Sequence, residues 1–307
     1  MTRQEIAEKC AAIDRATERF VPLNEVNLAD VRRRQSRPIN SIPTFLPSWN
    51  RMSRGAGGGR GLGIGWYVVL AGATGAGKTI AGLNLTVSAL RDGRNVLFVS
   101  LEMSHDELVS RLRPIVTGDD IRKLEPGEYW DEDLAAAADR TISDLPGTLH
   151  VNTVPLWELR DVQSMLEVFV RDEKVSLVIV DYAQLVSPAG NDQKLFEAMS
   201  TVSSTLRFQA QSLDIVVVAL SQMNRATTRE RNVPPTIEGL FGSSRFGFDA
   251  NQVLALDYSK RTRDPIRRRE KTRLLLMKNR HGPNGPIPIE IDFASFRISE
   301  IEKDERC

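Results

Sequence analysis

From Trp66 onward the chain alternates short apolar runs with longer stretches of mixed polarity. "WYVVLA", "NVLFVS", "VSLVIV", "IVVVAL" and "RLLLMK" are rich in valine and leucine and are mostly separated by helix-length segments. Their hydrophobicity is continuous rather than alternating. That predicts strands covered on both faces, and so an α/β fold with a mostly parallel twisted sheet flanked by helices. Near the C-terminus "PIPIEIDF" and "SFRIS" are close enough to form a hairpin at a sheet edge. No repeat with a period of about 20–50 residues interrupts this order.

Residues 1–40 are charged and helix-compatible but carry too little apolar surface for a core of their own. They predict an N-terminal helical arm ahead of a domain over residues 41–307. Within the arm, "NLADVRRRQSRP" reads as a short helix entered at Asn27 and stopped before Pro38. "RGAGGGRGLGIG" then reads as a flexible connection. It fits G-x-G-x-x-G in no frame and makes no case for a dinucleotide site.

The 307 residues, 41% hydrophobic, suffice for one large core plus an extension. A net charge of +1 gives no bulk attraction to nucleic acid, so any such binding has to come from local clusters. Cys10 and Cys307 lie near opposite ends, and the three histidines are scattered, giving neither a disulfide framework nor a metal spacing. The N-terminus lacks the apolar core of a signal peptide, and no run approaches membrane-spanning length. The expectation is a reducing, cytoplasmic setting with no membrane partner.

Gly72-Ala73-Thr74-Gly75-Ala76-Gly77-Lys78-Thr79 matches G-x-x-x-x-G-K-[ST] at every fixed position, between a predicted strand and a predicted helix. The glycines let backbone N–H groups wrap a phosphate and the helix N-terminus adds partial positive charge. Lys78 reaches the β/γ oxygens, and Thr79 is placed to ligate Mg²⁺. Asp181, ending "VSLVIVD", supplies the acidic residue that a magnesium shell needs at a neighbouring strand end. The next residue is the uncharged Tyr182, so the group that activates water has to come from elsewhere. Glu102, beyond "NVLFVS", fits either that role or a first-turn glutamate favoured by the helix dipole. Gln222, at the end of "VVVALSQ", reads as a γ-phosphate sensor or as a surface amide.

"VLFVSLEMSHDELVSRL", "LVIVDYAQLV", "VVALSQMNR" and "LLMKNRHGPNGPI" resemble, in order and spacing, the ATPase domain of DnaB-type replicative helicases. The resemblance covers roughly residues 40–300 and implies a RecA-like P-loop NTPase core. It also implies that Glu102 is the catalytic base and Gln222 the γ-phosphate sensor. The K-x-R-x-G-P block matches Lys278, Arg280, Gly282 and Pro283, and its basic pair is expected to project into a neighbouring subunit's nucleotide. A homo-hexameric ring follows, with ATP hydrolysed between subunits and single-stranded DNA drawn through the centre.

Two segments depart from that family. Where it carries an Arg-Glu-Ser-Gly block, this chain has "LFGSSRFGFDAN", with Phe241 and Gly242 in place of the arginine and glutamate. Ser243, Ser244 and Arg245 remain as candidate DNA contacts, and a plain glycine-rich surface loop is the other reading. The basic run "SKRTRDPIRRREKTR" reads as a solvated loop or as a nucleic-acid-facing patch. The family's globular N-terminal domain, a platform for primase, has no counterpart in this sequence, as in short phage or plasmid versions. Primase or a helicase loader are the expected further partners. The competing function is a RecA-like, DNA-stimulated ATPase that acts as a recombination mediator or regulator without processive unwinding.

Overall fold

The computed structural model describes residues 41–53, 61–153, 157–181, 186–187, 195–224, 233–240 and 245–301. The arm with its Asn27-entered helix, most of the glycine-rich connection, and Phe241 to Ser244 lie outside the described residues.

Two short strands, β1 (Ser41–Ile42) and β2 (Leu62–Gly63), pair antiparallel and flank helix α1 (Pro47–Met52). The central sheet then begins with β3 (Tyr67–Gly72), which leads into α2 (Lys78–Arg91). β4 (Asn95–Ser100), α3 (His105–Thr117), α4 (Ile121–Leu124), α5 (Glu132–Ser143) and β5 (Leu149–Asn152) follow. A small parallel pair, β6 (Trp157–Glu158) with β8 (Val186–Ser187), brackets α6 (Leu159–Asp172) and β7 (Val175–Asp181). α7 (Leu195–Ser212), β9 (Val216–Gln222) and the short helix α8 (Arg245–Asp249) come next. β10 (Gln252–Asp264), β11 (Arg269–Asn279), β12 (Gly285–Asp292) and β13 (Arg297–Glu300) complete the sheet.

Among the described residues the sheet has nine strands in the order β13-β12-β11-β10-β3-β9-β7-β4-β5. β10, β3, β9, β7, β4 and β5 are mutually parallel, and β11 to β13 form an antiparallel meander on one edge. The expected hairpin near the C-terminus is therefore β12–β13. Strand β3 shows why its residues are continuously apolar. Val68 and Leu70 face α2 and α3, while Tyr67, Val69 and Ala71 face α6, α7 and Phe246 of α8. Both layers exclude water, so β3 has no polar face.

Three expectations need correction. "RLLLMK" lies in β11, which runs antiparallel to its neighbour rather than in the parallel set. β10 and β5 are strands that the apolar runs did not announce. β5 is a half-buried edge of four residues, and the apolar part of β10 passes at once into dense charge. That charge is the third point, because "SKRTRDPIRRREKTR" is a β-hairpin, with a solvent-exposed tip at Ile266 and Arg267, rather than a loop. Its arginines are matched at home. Arg261 and Arg263 contact the buried Glu270, Arg273 contacts the buried Asp257, Arg268 lies 3.4 Å from Asp120, and Arg269 lies 3.2 Å from Glu290.

Glu270 is 1% exposed and receives both Arg261 and Arg263, so the pair is bound more firmly than a surface ion pair. Glu270→Gln should lower unfolding stability by about 1–2 kcal/mol, read as a shift of the urea midpoint. A midpoint within error of the unaltered chain would contradict the assignment of the hairpin's charges to folding.

Candidate nucleotide site

The loop between β3 and α2 turns back on itself through Gly75 (φ +72°) and Gly77 (φ +94°), conformations that side chains with a Cβ avoid. Gly72 is held for a different reason, because a Cβ there would press on the Lys78 side chain. The turn aims the first N–H groups of α2 outward, and those groups have no intrahelical partner. Lys78 Nζ donates to the carbonyl of Ala73 (2.9 Å), closing the loop over the space a phosphate would occupy. Burial pulls the Lys78 ammonium below its ordinary range, while Asp181 and Glu102 oppose that shift.

Thr79 and Asp181 meet directly, the threonine hydroxyl donating to Oδ2 at 2.7 Å. Asp181 is 1% exposed, and its other oxygen, Oδ1, has no hydrogen-bond partner among the described residues. A buried carboxylate oxygen without a partner is costly. Together with the adjacent hydroxyl it forms an oxygen donor pair of the kind that suits Mg²⁺. The residues present thus fit a magnesium–triphosphate.

β4 and β9 bring the other two candidates to the same sheet end. Leu101 N donates to the Asp181 carbonyl (2.8 Å), so the chain after β4 runs beside β7. The buried Ser100 hydroxyl donates to the carbonyl of Met103 (2.7 Å) and accepts from its N–H (3.1 Å). This tight turn presents Glu102 to the cavity instead of placing it in the first turn of α3, which is capped by Ser104 and Glu107. Gln222 Nε2 donates to the Thr74 hydroxyl, tying β9 to the phosphate loop. The cavity, about 420 Å³, is lined by Thr74, Gly75, Gly77, Lys78, Thr79, Glu102 and Gln222. It is also lined by Arg111 of α3 and by Phe293, neither of which sequence reasoning singled out. Arg111 sits at helical spacing from the Ser104 cap, a signal that was available; Phe293 had none, since only the β12–β13 turn brings it there.

Lys278 and Arg280 do not line this cavity. Gln252 of β10 is aligned with Val68 at the start of β3 and with Asn279 of β11, and Arg280 N donates to Asn251 (2.9 Å), beside Tyr67. The basic pair therefore lies at the opposite end of the sheet, roughly 15 Å from the phosphate loop along the strand direction at ~3.3 Å per residue. A Cβ at Gly282 would overlap the carbonyl of Met52, so the turn that carries Arg280 closes against α1 only with glycine there. Asn279 secures the same turn by donating to Met52 O (2.8 Å) and Pro283 O (3.1 Å). Of the candidate DNA contacts, Ser243 and Ser244 are outside the described residues, and Arg245 is the first residue of α8.

The sheet order, the helices on both faces and the phosphate loop at the end of β3 define the RecA-like α/β class. Within that class the chain belongs to the DnaB-like helicase C-terminal domain family, whose model matches residues 58–299. It is 27% identical over 245 residues to a probable plasmid replicative DNA helicase of Chlamydia muridarum, covering 79% of this chain and 52% of that one. It is 27% identical over 272 residues to the replicative DNA helicase DnaB of Treponema pallidum, covering 88% and 58%. The chain thus spans about half the length of these relatives. The solved structure of a DnaB-like replicative helicase, described with its interactions with primase, superposes with a TM-score of 0.77 at 21% identity. That match covers 97% of this chain and 74% of the other, and it supports the fold. No helix among the described residues is long and apolar enough to cross a membrane.

Burial holds the Asp181 carboxyl up at about 6, with Thr79 pulling the other way and Glu102 adding to the rise. Ionising it therefore costs the folded chain stability. That cost is absent below the ordinary aspartate value of about 4 and complete above about 6. In metal-free buffer Asp181→Asn should gain melting temperature over the unaltered chain as pH rises across that window, and should lose the further rise that Mg²⁺ with nucleotide gives. A gap that stays flat with pH would contradict this.

Proposed function

We propose that this chain is the motor of an ATP-dependent DNA helicase of replication, a homo-hexameric ring that hydrolyses ATP between subunits and moves on single-stranded DNA. The observation that carries this reading is the placement of the phosphate loop and of Arg280 at opposite ends of one rigid sheet. A chain built this way cannot bring its own guanidinium to its own triphosphate, whereas a neighbour can.

The division of labour follows from the site. Loop N–H groups, the N-terminus of α2 and Lys78 bind the phosphates, and Thr79 with Asp181 would hold Mg²⁺. Bound there, the ion supplies neutralisation of charge on the β and γ oxygens. Glu102 accepts the proton of the attacking water, and the Ser100 turn keeps its carboxylate facing the cavity. Gln222, already bonded to Thr74, reports the presence of the γ-phosphate to β9. Lys278 and Arg280 of a neighbour stabilise the charge that spreads over the transferring group. Ser243, Ser244 and Arg245 serve as the strand contact through backbone phosphates, which makes affinity fall with salt. Residues 1–40 act as the arm ahead of this domain, and primase or a loader are its further partners.

Glu102→Gln should bind ATP with unchanged affinity while turnover falls by roughly 10²–10⁴. Arg280→Ala should keep nucleotide binding and lose roughly 10³–10⁵ in turnover. On forked DNA the unaltered chain with ATP should displace the annealed strand, and both variants should fail. DNA-stimulated phosphate release without displacement would favour the recombination-mediator or regulator reading.

A further inference from the structure

Lys278 and Arg280 are held by one short element. Lys278 Nζ donates to the carbonyls of Gly247 (2.7 Å) and Phe248 (2.9 Å), and Arg280 Nη2 donates to the carbonyl of Phe248 (2.7 Å). These carbonyls belong to α8, in the last turn of a helix where acceptors have no intrahelical partner. The helix itself is seated from several directions. Phe246 is fully buried, and Asp249 accepts from the buried Ser203 hydroxyl (3.0 Å) and lies 3.6 Å from Arg207 of α7. Gly247 approaches Ile237 so closely that a Cβ there would overlap Ile237 Cγ2.

We propose that α8 is the positioning element for the basic pair, its Gly247 and Phe248 carbonyls setting where Lys278 and Arg280 stand when they meet a neighbour's triphosphate. This rests on the reading that Arg280 acts in trans. Two long cationic side chains have many rotamers and repel one another, so the Phe248 carbonyl they share, with that of Gly247 for Lys278, is what confines them to one place. Stabilisation of a transition state by charge depends on groups that are already in position.

The test is the steady-state ATPase of the full chain with and without single-stranded DNA. Gly247→Ala pushes α8 away from Ile237, and kcat should fall roughly 10- to 100-fold while the KM for ATP stays unchanged, because the phosphate cradle is at the other end of the sheet. Adding Ile237→Ala removes the obstructing methyl group and should restore most of kcat, again with KM unchanged, whereas a merely destabilised fold would lower the active fraction that a melting curve reads. Should Gly247→Ala fail to fold, Asp249→Ala releases the helix from Ser203 and Arg207 without adding volume, and the same split between kcat and KM is expected. Undiminished kcat in the folded variant, or loss that Ile237→Ala does not relieve, overturns the proposal. If Arg280→Ala also leaves kcat intact, the trans reading fails with it; if Arg280→Ala abolishes turnover while Gly247→Ala does not, only the role of α8 fails.

Discussion

The register of β10 between β3 and β11 is the constraint on which the rest of this molecule depends. Gln252 is aligned with Val68 on one side and with Asn279 on the other. Because β10 runs parallel to β3 and antiparallel to β11, the chain that leaves β3 at the phosphate loop and the chain that leaves β11 at Arg280 exit at opposite ends. β3 and the apolar part of β10 are buried on both faces, and β11 buries alternate residues, so a slip in register would turn a packed layer inside out. The separation is thus as firm as the core.

The two ends are built by different means. At the phosphate end, the termini of four strands, β3, β4, β7 and β9, converge and leave polar groups that satisfy one another only in part. Thr79 covers one oxygen of Asp181, the other is buried without a partner, and Lys78 is bonded to its own loop. At the opposite end several side chains are linked in a chain of hydrogen bonds. Trp49 Nε1 donates to Gln252, Gln252 donates to Ser53 and Asn279, and the His281 ring stacks on Trp66 at 4.2 Å. One end leaves polar groups open, and the other is stiffened by its own hydrogen bonds and stacking.

Much of this was legible in the sequence for a physical reason. A phosphate loop is local, so Gly72 to Thr79 announce their geometry within eight residues, and continuous apolar runs announce strands buried on both faces. Asp181, Glu102 and Gln222 were legible because each follows such a run. What escaped depended on distant partners. β10 was hidden because its charged half is neutralised across the hairpin, Arg261 and Arg263 by Glu270 and Asp257 by Arg273, a pairing that only the register of the two strands reveals. Phe293 reaches the cavity only through the β12–β13 turn, and the carbonyls that hold Arg280 lie some thirty residues away in α8.

The central claim is that a complete site takes one part from each of two chains. Complementation tests it most directly: Lys78→Ala lacks a working cradle, Arg280→Ala lacks the guanidinium, and each alone should be nearly inactive. Mixed and allowed to assemble, the two should regain ATP turnover, because some interfaces then join an intact cradle to an intact arginine. A mixture as inactive as its components, although the subunits are shown to co-assemble, would contradict the account.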